Sequence, residues 1–320
     1  MGPTGYGSTS TELAVRTGTA ERYVREWLEH HAASGLLDVD DATAGPLERR
    51  YRLPAAHAPV LADHDDVRFA VHRAIDIVRA ARPLPDLVDA FRTGAAPPPS
   101  PWEPEGRAAN NRPVYLAHLG REWLPAIPDI DGRLRAEPPA RVADLACGMG
   151  WSSIAIAHAY PLVMVDGFDL DAEAIADARR NAATEGVADR VSFSVADAAA
   201  PELSARYDLV TILEGFHDMA RPVDVLRAVR GMLADGGSVL MIDENVADDF
   251  IAPAPELERY HYGWSVVSCL PGAMGDPQTA ATGAVMRVAT LRRYAEEASF
   301  HAVEVLPIQT PTWRFYRLHP

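Results

Sequence analysis

VADLACGMGWSS, residues 142–153, runs from an apolar strand pattern into a turn that holds Gly148, Gly150 and, three residues on, the small Ser153. Glycine at such a turn lets the backbone bend sharply and a ligand approach it closely. The spacing alone is weak evidence, because it serves several nucleotide-containing ligands equally. Its surroundings decide the fold. From residue 141 onward, short apolar runs alternate with helical patterns. The strands read RVADLA (141–146), LVMVDGFDL (162–170), VSFSVAD (191–197), YDLVTIL (207–213) and SVLMIDE (238–244), with DAEAIADARRNAATEG (171–186) and RPVDVLRAVRGML (221–233) among the helices between them. Strict alternation predicts an α/β fold, a Rossmann-like doubly wound parallel sheet with helices on both faces. Ligands of such sheets lie beyond the carboxyl ends of the strands at the switch point, which is where the turn falls.

Three carboxylates occupy consecutive strand ends. Asp144 stands four residues before Gly148, where an anion suits a ligand ammonium group and is poorly placed near a pyrophosphate. Asp169 follows Gly150 by 19 residues, a position from which a carboxylate accepts from both hydroxyls of a ribose. Asp197, in VADA, is placed to accept from the exocyclic amine of an adenine. A single strand-end Asp is commonly a helix N-cap, the role expected of Asp171. Three at matching ends select S-adenosylmethionine (SAM) over NAD or FAD.

On DLACGMG, GFDLD and SVADA, residues 141–245 resemble the class I SAM-dependent methyltransferases. TELAVRTGTAERYVREWLEHHAASGLLDVD (11–40) resembles the winged-helix domain that an actinobacterial-type group of small-molecule methyltransferases carries at its N-terminus, and WRFYRL (313–318) resembles that group's final strand. The resemblance implies SAM as methyl donor. It implies Asp144, Ala146, Gly148 and Gly150 around the methionine portion, Asp169 with Leu170 at the ribose, and Asp197 with Ala198 at the adenine. Ala146 departs from a frequent glycine, a change that a negative φ tolerates. The group also has further helices before the winged motif, whereas this chain starts almost directly at it.

Three regions are expected: a winged-helix-like domain over 1–62, serving dimerisation or substrate cover; a helical and Pro-rich connection over 63–137; and a SAM-binding domain over 138–320 with an insertion at 246–286. In the first, Thr9 and Glu12 form a potential capping box, Tyr23 with Trp27 and Val24 with Leu28 take i,i+4 spacing, and Gly35 is a helix stop. Residues 63–92 read as continuing helix, and TGAAPPPSPWEPEGRAANNRP (93–113) holds six prolines in 21 residues, marking an extended connection. PVYLAHLGREWLPAI (113–127) reads as a helix. A groove-reading helix is normally basic, yet residues 1–60 carry six arginines against eight acidic residues. The formal net charge of −15 likewise disfavours nucleic acid. A SAM-responsive DNA-binding regulator is the alternative from another class. The chain has no lysine, which excludes Schiff-base chemistry on that side chain, and two cysteines without metal-ligand spacing. No run approaches the length of a membrane span, so a cytoplasmic homodimer with a small-molecule acceptor, no membrane and no metal is expected.

Chemistry is expected at the ends of strands four and five. In LEGFHDMARP (213–222), Glu214, His217 and Asp218 lie where the family faces the methyl group. A neutral His217 can accept a hydroxyl proton, with Asp218 orienting it or capping the next helix. His261 is an alternative base. Glu214 with Asp243, Glu244 and Asn245 offers only a loose match to a Mg²⁺ site. Trp102, Tyr115, Tyr260, His261 and Trp264 are expected to line a flat, apolar acceptor site. These readings point to O-methylation of an aromatic or polyketide-like specialised metabolite, with C- or N-methylation or a non-methylating SAM enzyme as alternatives.

Overall fold

The computed structural model describes residues 7–98, 111–199 and 206–320, and the chain divides into two units, Met1–His72 and Arg73–Pro320. In the first, helices α1 (Ser10–Thr17) and α2 (Glu21–Ala33) precede a minimal antiparallel wing of β1 (Asp38–Val39) and β2 (Tyr51–Arg52). The capping box forms: Thr9 Oγ1 accepts from the Glu12 amide at 3.2 Å, and Glu12 Oε2 accepts from the Thr9 amide at 3.0 Å. Gly18 ends α1 and Gly35 follows α2, both with left-handed φ. On α2, Leu28 is buried, whereas Tyr23 is 81% exposed and Trp27 half exposed. The i,i+4 pairs therefore lie on two sides of the helix, and only one of them faces this unit's interior.

The continuous helix expected over 63–92 is broken. Turns occupy 63–69, and two helices follow, Val71–Ala81 and Leu84–Thr93. Pro83 and Pro85 stand at the break, where a proline ring excludes the preceding turn's hydrogen bond. The helix read at 113–127 is widened: Tyr115–Trp123 is a π-helix, closed by an i→i+5 bond from the Leu124 amide to the Leu119 carbonyl at 3.0 Å. The turns at 63–69 belong to the first unit, and the division between the two units falls within helix Val71–Ala81, between His72 and Arg73.

The second unit is organised by a sheet that has seven strands among the described residues: β3 (Arg141–Leu145), β4 (Met164–Asp169), β5 (Val191–Val195), β6 (Tyr207–Leu213), β7 (Leu233–Glu244), β8 (Ala302–Val305) and β9 (Trp313–His319). Their spatial order is β5-β4-β3-β6-β7-β9-β8. The first five are parallel, and β9 and β8 add antiparallel pairs. Order reverses between β3 and β6, which makes that crevice the switch point. Successive side chains alternate between two cores. Val142, Leu209, Leu240 and Ile242 face one, with Ile154 and Ile156 of helix Trp151–Ala159. Ala143, Leu145, Val210, Ile212 and Met241 face the other, with Val225 and Val229 of helix Pro222–Met232. Burial on both faces explains why these strands read as nearly unbroken apolar runs. No helix among the described residues is long and apolar enough to cross a membrane.

Candidate functional site

The turn after β3 has an internal scaffold. Asp144 is 1% exposed, and its Oδ2 accepts from Ser152 Oγ at 2.5 Å and Ser153 Oγ at 2.6 Å, while Oδ1 accepts from Thr211 Oγ1 at 2.8 Å. Burial raises its pKa, and the three hydroxyls oppose that rise. Asp144 therefore acts as a strut between β3, β6 and the first turn of helix Trp151–Ala159. It is sealed among hydroxyl donors and shapes the loop it holds. Ser153, read from the sequence as a small residue of the fingerprint, is one of the donors that hold it.

The two glycines differ in task. Gly148 has φ +52° with open space where a Cβ would project, so what it supplies is backbone freedom rather than room for a neighbour. Gly150, at φ +80°, makes room for the Phe193 ring, which a Cβ there would overlap. Asp169 Oδ2 accepts from the Gly148 amide at 2.8 Å and Oδ1 from the Asp171 amide at 2.9 Å, pinning the turn to the end of β4. Beyond it, Leu170 is 70% exposed, an apolar face held next to the turn. Asp171 caps its helix by accepting from the Glu173 and Ala174 amides, as expected. Asp197 accepts from the Ala199 amide at 2.9 Å and from Arg221 at 2.5 Å, with Ala198 packed against the second core.

Ala146 corrects the expectation of negative φ: it sits at +54°, in the left-handed region. A Cβ there costs roughly 1–2 kcal/mol, part of which alanine recovers through its smaller unfolded-chain entropy. Ala146→Gly is expected to raise stability by about 0.5–1 kcal/mol in urea unfolding; a loss would mean that packing of the methyl outweighs the strain. Glu214, at the end of β6, is likewise left-handed at φ +60°, and its Oε2 accepts from Asn111 Nδ2 at 2.8 Å. Strain held by a well-packed sheet is a mark of functional positions.

Beside Glu214 lies a buried ionisable cluster. His217 is 4% exposed, and its Nδ1 lies 2.8 Å from Asp243 Oδ1, which also accepts from the Glu244 amide. Nε2 lies 3.4 Å from Asp218 Oδ1. Burial favours the neutral ring, but the Asp243 and Asp218 carboxylates overcome it and hold the histidine pKa well above its ordinary value. The ring orienter is thus Asp243, from the neighbouring strand end, at closer range than the sequence-adjacent Asp218. His261 is 2% exposed, with Nδ1 3.2 Å from Glu244 Oε2. Burial and the nearby His217 charge push it down to about 4, so this imidazole is neutral. Burial, with Glu214 and Asp243 beside it, pushes Glu244 up to about 9 and keeps that carboxyl protonated.

These shifts have opposite signs in folding. Glu244 binds its proton more tightly folded than unfolded, so its contribution is complete below 4.5 and lost as pH rises toward 9. His261 contributes above 6.5 and loses that contribution as pH falls toward 4. Above pH 6.5 only the loss from Glu244 remains of the two. Glu244 alone should cost at most about 3 kcal/mol between pH 6.5 and 9, and His217, whose pKa is also raised, loses its contribution in the same direction. Glu244→Gln should flatten that slope in thermal unfolding; an unchanged slope would remove Glu244 as its source.

The aromatic residues expected at the acceptor lie on separate elements. Tyr115 is buried under the end of β6, its hydroxyl 3.5 Å from the Leu213 carbonyl and its ring edge-on to Trp123. Burial and the Glu214 charge raise its phenol pKa, so it stays protonated. Tyr260 and Trp264 pair edge to face on helix Glu256–Trp264, with Tyr260 42% exposed beside Arg73. Of that helix, His261 turns inward. The segment is anchored by the buried Glu258, which accepts from the Ala247 amide at 2.9 Å and from Arg287 at 2.8 Å. Trp102 lies outside the described residues. Asp243 and Asn111 join the site without having been assigned those roles by sequence.

This geometry agrees with the comparisons. Residues 142–237 match the family model described as a methyltransferase domain, and residues 4–63 match the Rv2258c-like winged HTH domain. The chain thus has the class I methyltransferase fold, preceded by a winged helix-turn-helix domain. It is 31% identical over 147 residues to trans-aconitate 2-methyltransferase of Streptomyces avermitilis, a match over 45% of this chain and 53% of that protein. The chain thus spans about half the length of that relative. PigF, solved with S-adenosylhomocysteine (SAH), has a TM-score of 0.71 at 19% identity, covering 98% of this chain and 90% of its own. An O-methyltransferase from neocarzinostatin biosynthesis, solved with SAH and 1,4-dihydroxy-2-naphthoic acid, has a TM-score of 0.60 at 20% identity, with 98% and 90% coverage. These structural likenesses are likenesses of fold.

Proposed function

We propose that the chain is a SAM-dependent methyltransferase that methylates an oxygen of a small aromatic or polyketide-like acceptor. The observation that carries this reading is the left-handed Gly148 turn, pinned by Asp169 at the switch point, with the buried His217–Asp243 pair at the adjoining strand ends. The residues present fit the cofactor. Each Asp169 oxygen keeps a second lone pair for a ribose hydroxyl, Leu170 offers an apolar face, and Asp197 with Ala198 stands at the adenine edge. Bound there, SAM supplies a methyl group on a sulfonium.

The chain's own part is positioning, worth about 7–11 kcal/mol where reacting atoms are held in line, and proton removal, which adds 10²–10⁴-fold. With Nδ1 held by Asp243, His217 presents Nε2 as the acceptor of a hydroxyl proton once the ring has lost its own, so turnover should rise with pH as the histidine, whose pKa is raised, becomes neutral. Asp243 then stabilises the imidazolium that forms. Glu214 and Asp218 border the same space. The exposed Tyr23 and Trp27 of α2 support a homodimer, and the acidic balance of the first sixty residues speaks against DNA. Incubation with methyl-labelled SAM and an extract of the source cells should yield a labelled small molecule. Label on no product, together with salt-sensitive retardation of genomic fragments in gel shifts, would favour a SAM-responsive regulator instead.

A further inference from the structure

A ring nitrogen of His217, a carboxylate oxygen of Asp218 and the sulfur of Cys269 all lie within 4.8 Å of one another. Zinc bonds to nitrogen and oxygen of about 2.0–2.2 Å at a tetrahedral angle put those two ligand atoms about 3.3–3.5 Å apart. The Nε2 to Oδ1 separation is 3.4 Å, longer than a hydrogen bond of either group and equal to that ligand spacing. The other ring nitrogen is held by Asp243 at 2.8 Å, the carboxylate–imidazole support that metal-bound histidines characteristically carry. The mixture of imidazole, thiolate and carboxylate suits zinc and disfavours magnesium or calcium.

We propose that His217, Asp218 and Cys269 form a three-ligand site for a zinc-class divalent ion, and that the ion shuts off methyl transfer. This rests on the reading of His217 given above: ligation occupies the Nε2 lone pair that the acceptor proton needs. Cys269 binds as thiolate and His217 as neutral imidazole, and the protons of both are released to solvent.

The test uses the full chain stripped with chelator and titrated with Co²⁺. A thiolate-to-cobalt charge-transfer band should appear and be displaced by Zn²⁺. The chain has two cysteines, so Cys269→Ser assigns the band. It should vanish in that variant, and Asp243→Asn, which leaves every ligand in place, should weaken binding about 10–100-fold. Circular dichroism confirms that each variant is folded. No band, or a band that survives Cys269→Ser, overturns the proposal. Methyl transfer is measured in parallel with EDTA and with Zn²⁺. Inhibition by Zn²⁺ that EDTA reverses supports the proposal, and transfer unaffected by bound Zn²⁺ overturns its inhibitory half. Transfer in EDTA without a cobalt band sinks the metal site alone. A cobalt band without transfer under any condition sinks the methyltransferase reading and leaves the site standing.

Discussion

Gly150→Ala is expected to lose about 2–4 kcal/mol of stability, the sum of a left-handed Cβ and an overpacked core contact. The added methyl projects into the Phe193 ring, and that ring is itself boxed in by Gly167, whose own missing Cβ would overlap it. The ring cannot retreat toward β4. Relief must come from the turn, so the Gly148 amide moves off Asp169 and SAM affinity should fall at least tenfold. Urea unfolding and equilibrium dialysis with labelled SAM check the two effects. Gly148→Ala provides the contrast, since its Cβ meets nothing within 4 Å. It should cost only the backbone term, roughly 1–2 kcal/mol. Equal losses in the two variants would show that Phe193 packing is not what Gly150 serves.

His217→Ala is the second large effect. It should lower turnover by about 10²–10⁴-fold, the range of general acid–base catalysis, while SAM affinity changes by less than about threefold. The parallel variant His261→Ala should cost less than about tenfold, because an imidazole pushed down to about 4 is a weak proton acceptor. A reversal of that order would make His261 the base and leave His217 a structural partner of Asp243.

The parallel core was legible because strands buried on both faces announce themselves as apolar runs, and the carboxylates at their ends followed from the alternation. Strand β8 was missed: HAVEV offers four paired residues at a sheet edge, with a single buried side chain, Val303. The pairing of His217 with Asp243 was hidden for a different reason. The two are 26 positions apart and meet only because β6 and β7 lie side by side, whereas Asp218 is adjacent in the chain and drew the assignment. Asp144 was placed at the right strand end, but its three hydroxyl donors come from helix and strand partners that no local pattern pairs with it. The φ of Ala146 is invisible to residue type, since alanine ordinarily avoids that conformation. Which side of its element each aromatic ring takes was likewise illegible, because composition counts rings without saying how each is turned.

Strand β9, the last of the sheet along the chain, lies inside it between β7 and β8, with Trp313 opposite Glu244 and Arg314 opposite Asp243. Protein synthesis therefore delivers the Gly148 turn early and the strand that flanks Asp243 and Glu244 late. Until residues 313–319 have been made, one edge of β7 is an open ladder of amides and carbonyls, available to any other strand. A ribosome-bound chain can close the Gly148 turn before it can cover the edge of β7 that carries Asp243 and Glu244, so that order of assembly is written into the order of the strands.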